Sequence, residues 1–416
     1  MPIMDALSAR SPIDEGSIRY PGWRAVIVCF LLATFAWGFA FYGQAVYVAE
    51  FQRLHGWPAS LVATATSAFY LGGALLVVFV SDAIRAIGLK AFLLCGVGFM
   101  AAATLAISYV STPFQLYAAY ALLSFGWAGM SIGAITNTLG MYFSSRRGLA
   151  ISLALNGASF GGIIGVPLMV IAAQSYGFSA TMHTGTALLL LVMVPAILFG
   201  MSPPPVHLQA SAAAGGQPAP SSTAVRAAAF RSLPFWTISL PFALVLFSQV
   251  SFIVHQISYM DPLIGRERAA IAVGLMTLAA VVGRIGLGFF IDRIDQRKAS
   301  SALFFSQGLS LIAMINFPTD IALIAGSFVF GLTVGNAITL PALIIQREFD
   351  PRSFGILVSL VTAINQVTYS FGPGVIGLLR DWTGNYGPAF YLNALLEFAA
   401  AAIVLIRGRK LEPVKP

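Results

Sequence analysis

The chain has 416 residues and a formal net charge of +8, with 58% hydrophobic residues, 9% charged residues and a mean hydropathy of +0.85. Soluble domains carry about 25% charged residues, so this composition excludes an ordinary water-soluble enzyme or binding domain. The apolar runs are continuous rather than alternating. Hydrocarbon forces the backbone to satisfy its own hydrogen bonds. Continuous apolar runs therefore favour membrane-spanning helices over a β-barrel.

Twelve apolar runs follow one another along the chain, and each crossing of a bilayer needs roughly 20 mostly apolar residues. The first six predicted helices span residues 23–48, 58–82, 90–110, 114–140, 148–174 and 184–202. The second six span residues 234–258, 270–291, 299–318, 321–345, 354–379 and 386–406. The sequence therefore predicts an all-α membrane protein with twelve transmembrane helices.

A segment rich in Ala, Ser, Gly and Pro separates the two sets of helices and predicts a flexible linker. The predicted organisation is a tail at 1–22, a six-helix bundle at 23–202, the linker at 203–231, a second six-helix bundle at 232–406 and a tail at 407–416. The halves also repeat, since Gly129 corresponds to Gly335 and Pro167 to Pro373. A parallel repeat of two bundles is typical of carriers that rock around a central site.

The positions of the cations predict the orientation, because cytoplasmic loops carry an excess of Lys and Arg. With the N-terminus inside, only Arg53, Arg266, Arg268 and Arg380 lie outside, and Arg284 lies within a helix. All other cations are then cytoplasmic, which predicts two cytoplasmic termini. The net positive charge is thus explained by topology, and we expect no nucleic-acid partner. The expected location is the plasma (inner) membrane of a bacterium.

The sequence contains no nucleotide-binding P-loop, no HExxH segment and no cluster of metal ligands. Cys29 and Cys95 lie far apart in apolar runs and are predicted to be small packing residues. We therefore expect no enzymatic activity, no metal and no cofactor.

Two segments resemble motifs of the major facilitator superfamily. Gly288 to Lys298 reads G-F-F-I-D-R-I-D-Q-R-K and is similar to the loop motif that follows helix two or helix eight in that family, with Asp295 where glycine is usual. The first-half copy, at 81–90, has Arg85 in place of the motif's aspartate. Tyr142 to Ala150, Y-F-S-S-R-R-G-L-A, resembles the opening of helix five in the monocarboxylate porter and oxalate/formate antiporter branch.

The resemblance covers roughly residues 20–406 and implies a transporter that works by alternating access. Charged loops at the cytoplasmic helix ends can pair across the two bundles and hold one gate closed. The alternative is a charge cluster that only sets topology. The predicted cytoplasmic gate comprises Asp292, Arg293, Arg297, Arg146, Arg147 and Asp82.

Arg284 lies inside an apolar run of predicted helix eight. Arginine at a helix centre costs about 2.5–3.5 kcal/mol on insertion scales, so it needs a polar cavity or a partner. Its planar fork suits a carboxylate, and the resemblance implies that it contacts a substrate carboxylate. A single buried cation favours a monoanion. Mammalian-type carriers have an aspartate where Ala280 stands, and the alternative for Arg284 is a structural ion pair, for example with Glu397.

Other polar residues within the predicted helices are candidates for the same site. Histidine titrates near physiological pH and a buried carboxyl group can carry a proton, so His255 and Glu397 are the proton-coupling candidates, although His255 could equally be a satisfied interfacial residue. The remaining candidates are neutral cavity-lining side chains of predicted helices one, four and eleven: Tyr42, Gln44, Asn137, Asn365, Gln366 and Tyr369.

These features together predict a secondary active transporter of small organic anions, in particular monocarboxylates. We expect proton symport or anion exchange in a lipid bilayer, with the protein acting as a monomer. One alternative is an exporter of amphipathic drugs or metabolites, which the 32 phenylalanines would suit. Another is a non-transporting sensor on the same fold, although the linker is too short to hold a folded signalling domain.

Overall fold

The structure is a computed structural model that describes residues 15, 17, 19–203, 222–290, 293–350 and 353–407. Eleven helices in these ranges are long and apolar enough to cross a membrane, and a twelfth, Gly387–Ile403, is apolar but shorter. No β-strand occurs in the same ranges. The prediction of an all-α membrane protein with twelve membrane helices is confirmed.

The membrane helices are numbered here in chain order. The first half contains α1 Gly22–His55, α2 Ala59–Val77, α3 Leu89–Ile107, α4 Pro113–Gly140, α5 Arg147–Tyr176 and α6 Phe178–Gly200. The second half contains α7 Leu233–Ile264, α8 Arg266–Phe290, α9 Gln296–Asn316, α10 Asp320–Glu348, α11 Phe354–Thr383 and α12 Gly387–Ile403. Short helices at Val80–Ile87 and Ser222–Phe230 lie between them. Asp292, most of the predicted linker and most of both predicted tails fall outside the described residues.

Several helices continue beyond the apolar runs that predict them. α1 extends to His55 rather than residue 48 and ends at Gly56, whose φ of 65° is the left-handed conformation that glycine adopts readily. The charged residues Glu50 and Arg53 end the apolar run but not the helix. Hydropathy marks where the chain leaves hydrocarbon, whereas the helix stops only at a residue that breaks its hydrogen bonding.

α1 and α5 pack closely near the middle of the first half. A side chain on Gly157 or Gly161 would place its Cβ 2.0 Å from the Phe30 carbonyl oxygen or 2.4 Å from the Thr34 carbonyl oxygen. Gly157 and Gly161 therefore form a small-residue packing face, as their spacing predicts. Both helices contain a π-helical turn here, at Trp37–Tyr42 and at Gly161–Gly165. Such turns shift the register of the side chains that follow and are frequent at functional sites.

The two halves meet through α1 with α7, α2 with α11 and α5 with α8. We call the membrane face on which α1 begins and α12 ends the terminal face, and the opposite face the distal face. In the described residues, the charged contacts between the halves lie on the distal side. Toward the terminal face, Asn156 of α5 and Thr362 of α11 are exposed. This exposure agrees with a space between the halves that opens toward the terminal face.

Candidate functional site

Arg284 of α8 lies at the interface of the halves, between the distal contacts and the terminal face. Its Nε donates a hydrogen bond to the backbone carbonyl oxygen of Gly335 on α10, at 3.3 Å. The side chain is half-buried, and within the described ranges Arg284 makes no ion pair. Four of the five guanidinium N–H groups therefore remain available, and a planar fork of donors is suited to a carboxylate.

Glycines on α8 and α10 bring the guanidinium to this position. A Cβ on Gly283 would lie 2.2 Å from the Leu332 carbonyl oxygen, and a Cβ on Gly335 would lie 2.3 Å from the Ala280 carbonyl oxygen. The two backbones therefore touch, as small residues allow in membrane helices. Any larger residue at either glycine would separate the helices and move Arg284 away from the Gly335 carbonyl.

Tyr42 and Thr277 connect Arg284 to the first half. Tyr42 of α1 lies near enough to Arg284 to interact with it electrostatically, and its hydroxyl lies beside the side chain of Thr277 on α8. Gly162 of α5 lies against both, since a Cβ there would be 2.7 Å from Thr277 and 2.9 Å from Tyr42. Residues from α1, α5 and α8 thus surround one point between the halves. The π-helical turns of α1 and α5 are the segments that contribute Tyr42 and Gly162.

A cluster of aromatic rings lies beside Tyr42, whose ring centroid is 5.1 Å from that of Phe41. Tyr70 of α2 and Tyr369 of α11 pack edge-to-face across the halves, with ring centroids 5.6 Å apart. In the first half, Phe41 packs against Tyr70 at 5.8 Å and against Trp127 at 6.2 Å, and Trp127 packs against Trp37 at 4.8 Å. Aromatic rings give the site apolar surface as well as hydrogen-bonding edges. None of Trp37, Phe41, Tyr70 and Trp127 is identifiable from sequence spacing alone.

Two of the predicted cavity residues form hydrogen bonds inside the first half. Gln44 is fully buried, accepts a hydrogen bond from the Thr66 hydroxyl at 2.9 Å and donates one to the Ala40 carbonyl at 3.0 Å. Asn137 accepts from the Ser81 hydroxyl at 2.8 Å, near the end of α4. The structure therefore does not bring these two residues to Arg284.

The three predicted residues of α11 lie closer to the interface of the halves. Tyr369 reaches Tyr70, as described above, and Gln366 is half-buried one turn before it. Asn365 is buried, and its Oδ1 accepts no hydrogen bond. An unbonded buried amide oxygen carries a desolvation cost, so Asn365 has an unused acceptor on the same helix as Tyr369.

His255 of α7 is fully buried and joins α7 to α11 and α12. Its Nε2 lies 2.9 Å from the Pro373 carbonyl oxygen and its Nδ1 lies 3.1 Å from the Tyr386 hydroxyl. A carbonyl oxygen only accepts, so Nε2 carries the hydrogen in the neutral ring and Nδ1 accepts from the Tyr386 hydroxyl. Both ring nitrogens are therefore hydrogen bonded without an added proton.

Glu397 of α12 is also fully buried, but neither of its carboxyl oxygens is hydrogen bonded. Its side chain lies beside Ser248 of α7. It makes no ion pair with Arg284, whose hydrogen bond goes to Gly335. The structural ion pair considered as an alternative for Arg284 is thus not formed in this conformation.

The predicted gate residues of the second half bond within that half. Arg297 is buried and forms two hydrogen bonds to the Glu348 carboxylate, at 2.7 and 2.8 Å. It also donates to the Val404 carbonyl at 2.8 Å. Arg293 lies in an exposed turn. Asp295 begins α9 by accepting from the backbone of the next helical residues; burial opposes ionisation, but these hydrogen bonds and Arg407 together lower the pKa of Asp295.

In the first half, the segment before α5 is held by Glu15. The carboxylate accepts hydrogen bonds from the Ser144 and Arg146 backbone N–H groups, both at 2.8 Å, and from the Ser145 hydroxyl at 2.6 Å. Burial alone would raise the pKa of Glu15, but these bonds outweigh it and lower the pKa to about 2. The guanidinium of Arg147 lies against Gly140.

Asp82 completes the predicted gate set. It pairs with Arg85, three residues along the same short helix. The described gate residues therefore form no bond across the halves here, as expected on a side where the halves stand apart.

The distal side is closed by charged residues that sequence reasoning did not connect. Glu50 of α1 lies 2.5 Å from Arg266 of α8, and Arg53 also binds Glu50, at 2.9 Å. Asp381 of α11 accepts hydrogen bonds from the first backbone N–H groups of α2, including that of Ser60 at 2.7 Å. A carboxylate at a helix N-terminus is favoured by the unpaired N–H groups and the helix dipole. The only sequence signal was that Arg53 and Arg266 are both predicted to lie in outer loops.

Comparison with known proteins places these features in a family. The Major Facilitator Superfamily profile matches residues 26–269 and 264–416. Monocarboxylate transporter 12-B of Danio rerio is 24% identical over 350 residues, which cover 74% of this chain and 72% of that protein. Monocarboxylate transporter 13 of Rattus norvegicus is 26% identical over 309 residues, which cover 72% of this chain and 68% of that protein.

A crystal structure of a mutant of the nucleoside transporter NupG has the same fold, with a TM-score of 0.75 at 12% identity over 92% of this chain and 99% of that chain. Two six-helix halves that surround a half-buried arginine, closed on one side and open on the other, agree with these matches. This chain belongs to the Major Facilitator Superfamily and is a multi-pass membrane transporter, not an enzyme.

Proposed function

We propose that this protein is a secondary active transporter of small monocarboxylates that works by alternating access. The observation that carries the proposal is Arg284, a guanidinium between the halves that is bonded to a backbone carbonyl and to no carboxylate among the described residues. A cation without a counter-charge at membrane depth is costly, and such residues face cavities that bind charged substrates. The similarity to the two monocarboxylate transporters supports the same substrate class.

The charge of the site favours a monoanion. One arginine balances one carboxylate, and the nearby polar groups of Tyr42, Thr277 and Tyr369 are neutral donors or acceptors. Moving a monoanion into a cell-negative interior costs about 2.3 kcal/mol per 100 mV. A co-transported proton or a counter-moving anion removes this cost, so the proposed mode is proton symport or anion exchange.

The conformation fits one state of an alternating cycle. The distal side is sealed by Glu50, Arg266 and Asp381, and the terminal side is open. The excess of Lys and Arg at the helix ends of the terminal face supports a cytoplasmic location for that face. The state would then be inward-open, in the plasma membrane of a bacterium and with the protein acting as a monomer.

Uptake into proteoliposomes tests the role of Arg284. We expect Arg284→Ala to lower uptake of labelled monocarboxylates about 30-fold or more, because losing one partner of a buried charge pair costs at least about 2 kcal/mol. Arg284→Lys keeps the charge but not the fork and should restore uptake only in part. Arg268→Ala is the matched control, since Arg268 pairs with Asp320 at the distal surface. Normal uptake by Arg284→Ala would remove the anion-binding role.

A second candidate function is export of amphipathic drugs or metabolites. The cluster of Trp37, Phe41, Tyr70 and Trp127 beside Tyr42 favours it, because aromatic surface binds apolar groups. Competition distinguishes the two functions. An amphipathic cation that inhibits uptake better than short monocarboxylates do would favour the exporter.

A further inference from the structure

A group of oxygen atoms without hydrogen-bond donors lies inside the second half, between α7 and α12. Both carboxyl oxygens of Glu397, the Oδ1 of Asn393 and the Oγ of Ser248 are buried and unbonded. Glu397 and Asn393 are four residues apart, which places them on one face of α12. The Asn393 amide nitrogen lies 3.5 Å from the Ser248 carbonyl oxygen, and the Ser248 hydroxyl lies beside Glu397. The three side chains therefore share one site.

The donors and acceptors in this site do not balance. If Glu397 is ionised, four side-chain oxygens can accept, but only the Ser248 hydroxyl and one amide hydrogen of Asn393 remain to donate. An ionised carboxylate that is buried without a partner costs several kcal/mol. A proton bound to the carboxylate corrects both problems, because it neutralises the buried negative charge and adds a hydrogen-bond donor.

Charged and titratable groups on the surrounding helices do not supply that charge. α7, α9 and α11 pack against α12. His255 lies seven residues from Ser248, about 10 Å along α7, and is bonded to Pro373. Arg297 binds Glu348 and the Val404 carbonyl, and Val404 is seven residues from Glu397. The other charged or titratable groups on or beside these helices are Tyr259, Asp261, Lys298, Tyr369, Arg380, Asp381, Tyr386, Tyr391 and Arg407, and none of them is hydrogen bonded to Glu397.

The described neighbours of Arg284 include no good proton acceptor. The residues around Arg284 are tyrosine, threonine and glycine, and the buried Glu50 is already paired with Arg53 and Arg266. A proton that accompanies a monoanion must therefore bind elsewhere. Among the buried carboxyl groups that the structure describes, Glu397 is the one without a partner.

α7 connects the Glu397 site to the interface of the halves. It carries Ser248, and it also packs against α1 of the first half. Pro241, two turns before Ser248, lacks an N–H, so the Thr237 carbonyl is free of its helical bond and accepts from Arg297 instead. A proline at this point lets α7 bend, and bending would move Ser248 relative to Glu397.

We propose that Glu397, Asn393 and Ser248 form the binding site for a single co-transported proton, separate from the anion site at Arg284. The proton binds one carboxylate oxygen of Glu397, and the resulting O–H donates to a neighbouring acceptor of the site. The proton leaves to water when α7 and α12 separate in the opposite conformation. This inference rests on the proposed function, because it assigns the coupling ion of the same carrier.

Proteoliposomes with an inward pH gradient of one unit test the coupling. Wild-type protein should accumulate a monocarboxylate about tenfold, because one pH unit and a tenfold concentration ratio have the same free energy. Glu397→Gln keeps the shape of the side chain but binds no proton, so it should lose this accumulation and still exchange labelled for unlabelled substrate. Asp320→Asn, which removes an exposed carboxylate of the same half, is the control and should accumulate normally.

Infrared difference spectroscopy on the purified protein provides a second measurement that needs no substrate. We expect a protonated-carboxyl C=O band in wild type and in Asp320→Asn that is missing in Glu397→Gln. Tenfold accumulation by Glu397→Gln, accumulation driven by a sodium gradient instead of a pH gradient, or no such band in wild type would each overturn the proposal. If wild type carried no monocarboxylate, the proposed function would fail, but the band would still decide whether Glu397 holds a proton.

Discussion

Removing the charged contacts of the distal side should shift the transporter toward the opposite conformation. The perturbation is the double variant Arg266→Ala with Asp381→Ala. Arg266 of the second half pairs with Glu50 of the first half. Asp381 of the second half caps the N-terminus of α2 in the first half. Both contacts exist only while the distal side is closed, so their loss destabilises the closed state alone.

The structure sets the size of this shift. Removing one partner of a buried ion pair costs about 3–5 kcal/mol, and the lower end applies here because Glu50 keeps Arg53. Replacing an N-cap aspartate by alanine costs about 1 kcal/mol. The contacts share no partner, so the losses add to about 4 kcal/mol. An equilibrium constant changes tenfold for about 1.4 kcal/mol, which gives a shift of nearly 1,000-fold.

Spin labels on the distal ends of α1 and α7 can measure this shift. Leu54 and Leu263 are 47% and 43% exposed, so cysteines there accept labels once Cys29 and Cys95 are replaced. Pulsed electron resonance should give one short distance for the parent protein and a longer distance in the double variant. Arg268→Ala, whose ion pair with Asp320 lies within one half, should keep the short distance. An unchanged short distance in the double variant would falsify the assignment of these contacts as the distal seal.

Three further predictions concern other parts of the chain. Arg297→Ala should lower the free energy of unfolding by about 3–5 kcal/mol, because it leaves Glu348 and the Val404 carbonyl without their donor. The melting temperature should fall with it, and an unchanged melting temperature would contradict this. Gly335→Val should separate α8 from α10 and abolish uptake while the protein still inserts in the membrane, since its Cβ would meet the Ala280 carbonyl; uptake at the wild-type rate would argue against the packing. The pKa of Glu15 is about 2 against an ordinary 4.5, so its stabilisation is present above pH 4.5 and is lost as the pH falls toward 2. The melting-temperature difference between wild type and Glu15→Gln should therefore shrink over that range, and a constant difference would show that the Glu15 charge is not involved.

The membrane class and the twelve helices were readable from the sequence because the length and polarity of a spanning helix are local properties. Each apolar run reports its own contact with hydrocarbon, whatever it packs against. Arg284 was identifiable for the same reason, since a charge within an apolar run is conspicuous without knowing its neighbours. The spacing of Gly157 and Gly161 likewise puts them on one side of a helix, whatever that side packs against.

Partners, by contrast, were decided by the tertiary structure. Arg284 meets the carbonyl of Gly335, and Glu50 meets Arg266 more than 200 residues away. Gln44 resembled a cavity residue, yet it hydrogen bonds to Thr66 inside the first half. A sequence shows which groups need a partner, because the free-energy cost of burying a polar or charged group is a property of the residue itself. Which partner is found depends on how helices cross and rotate, and that is set by many packing contacts together.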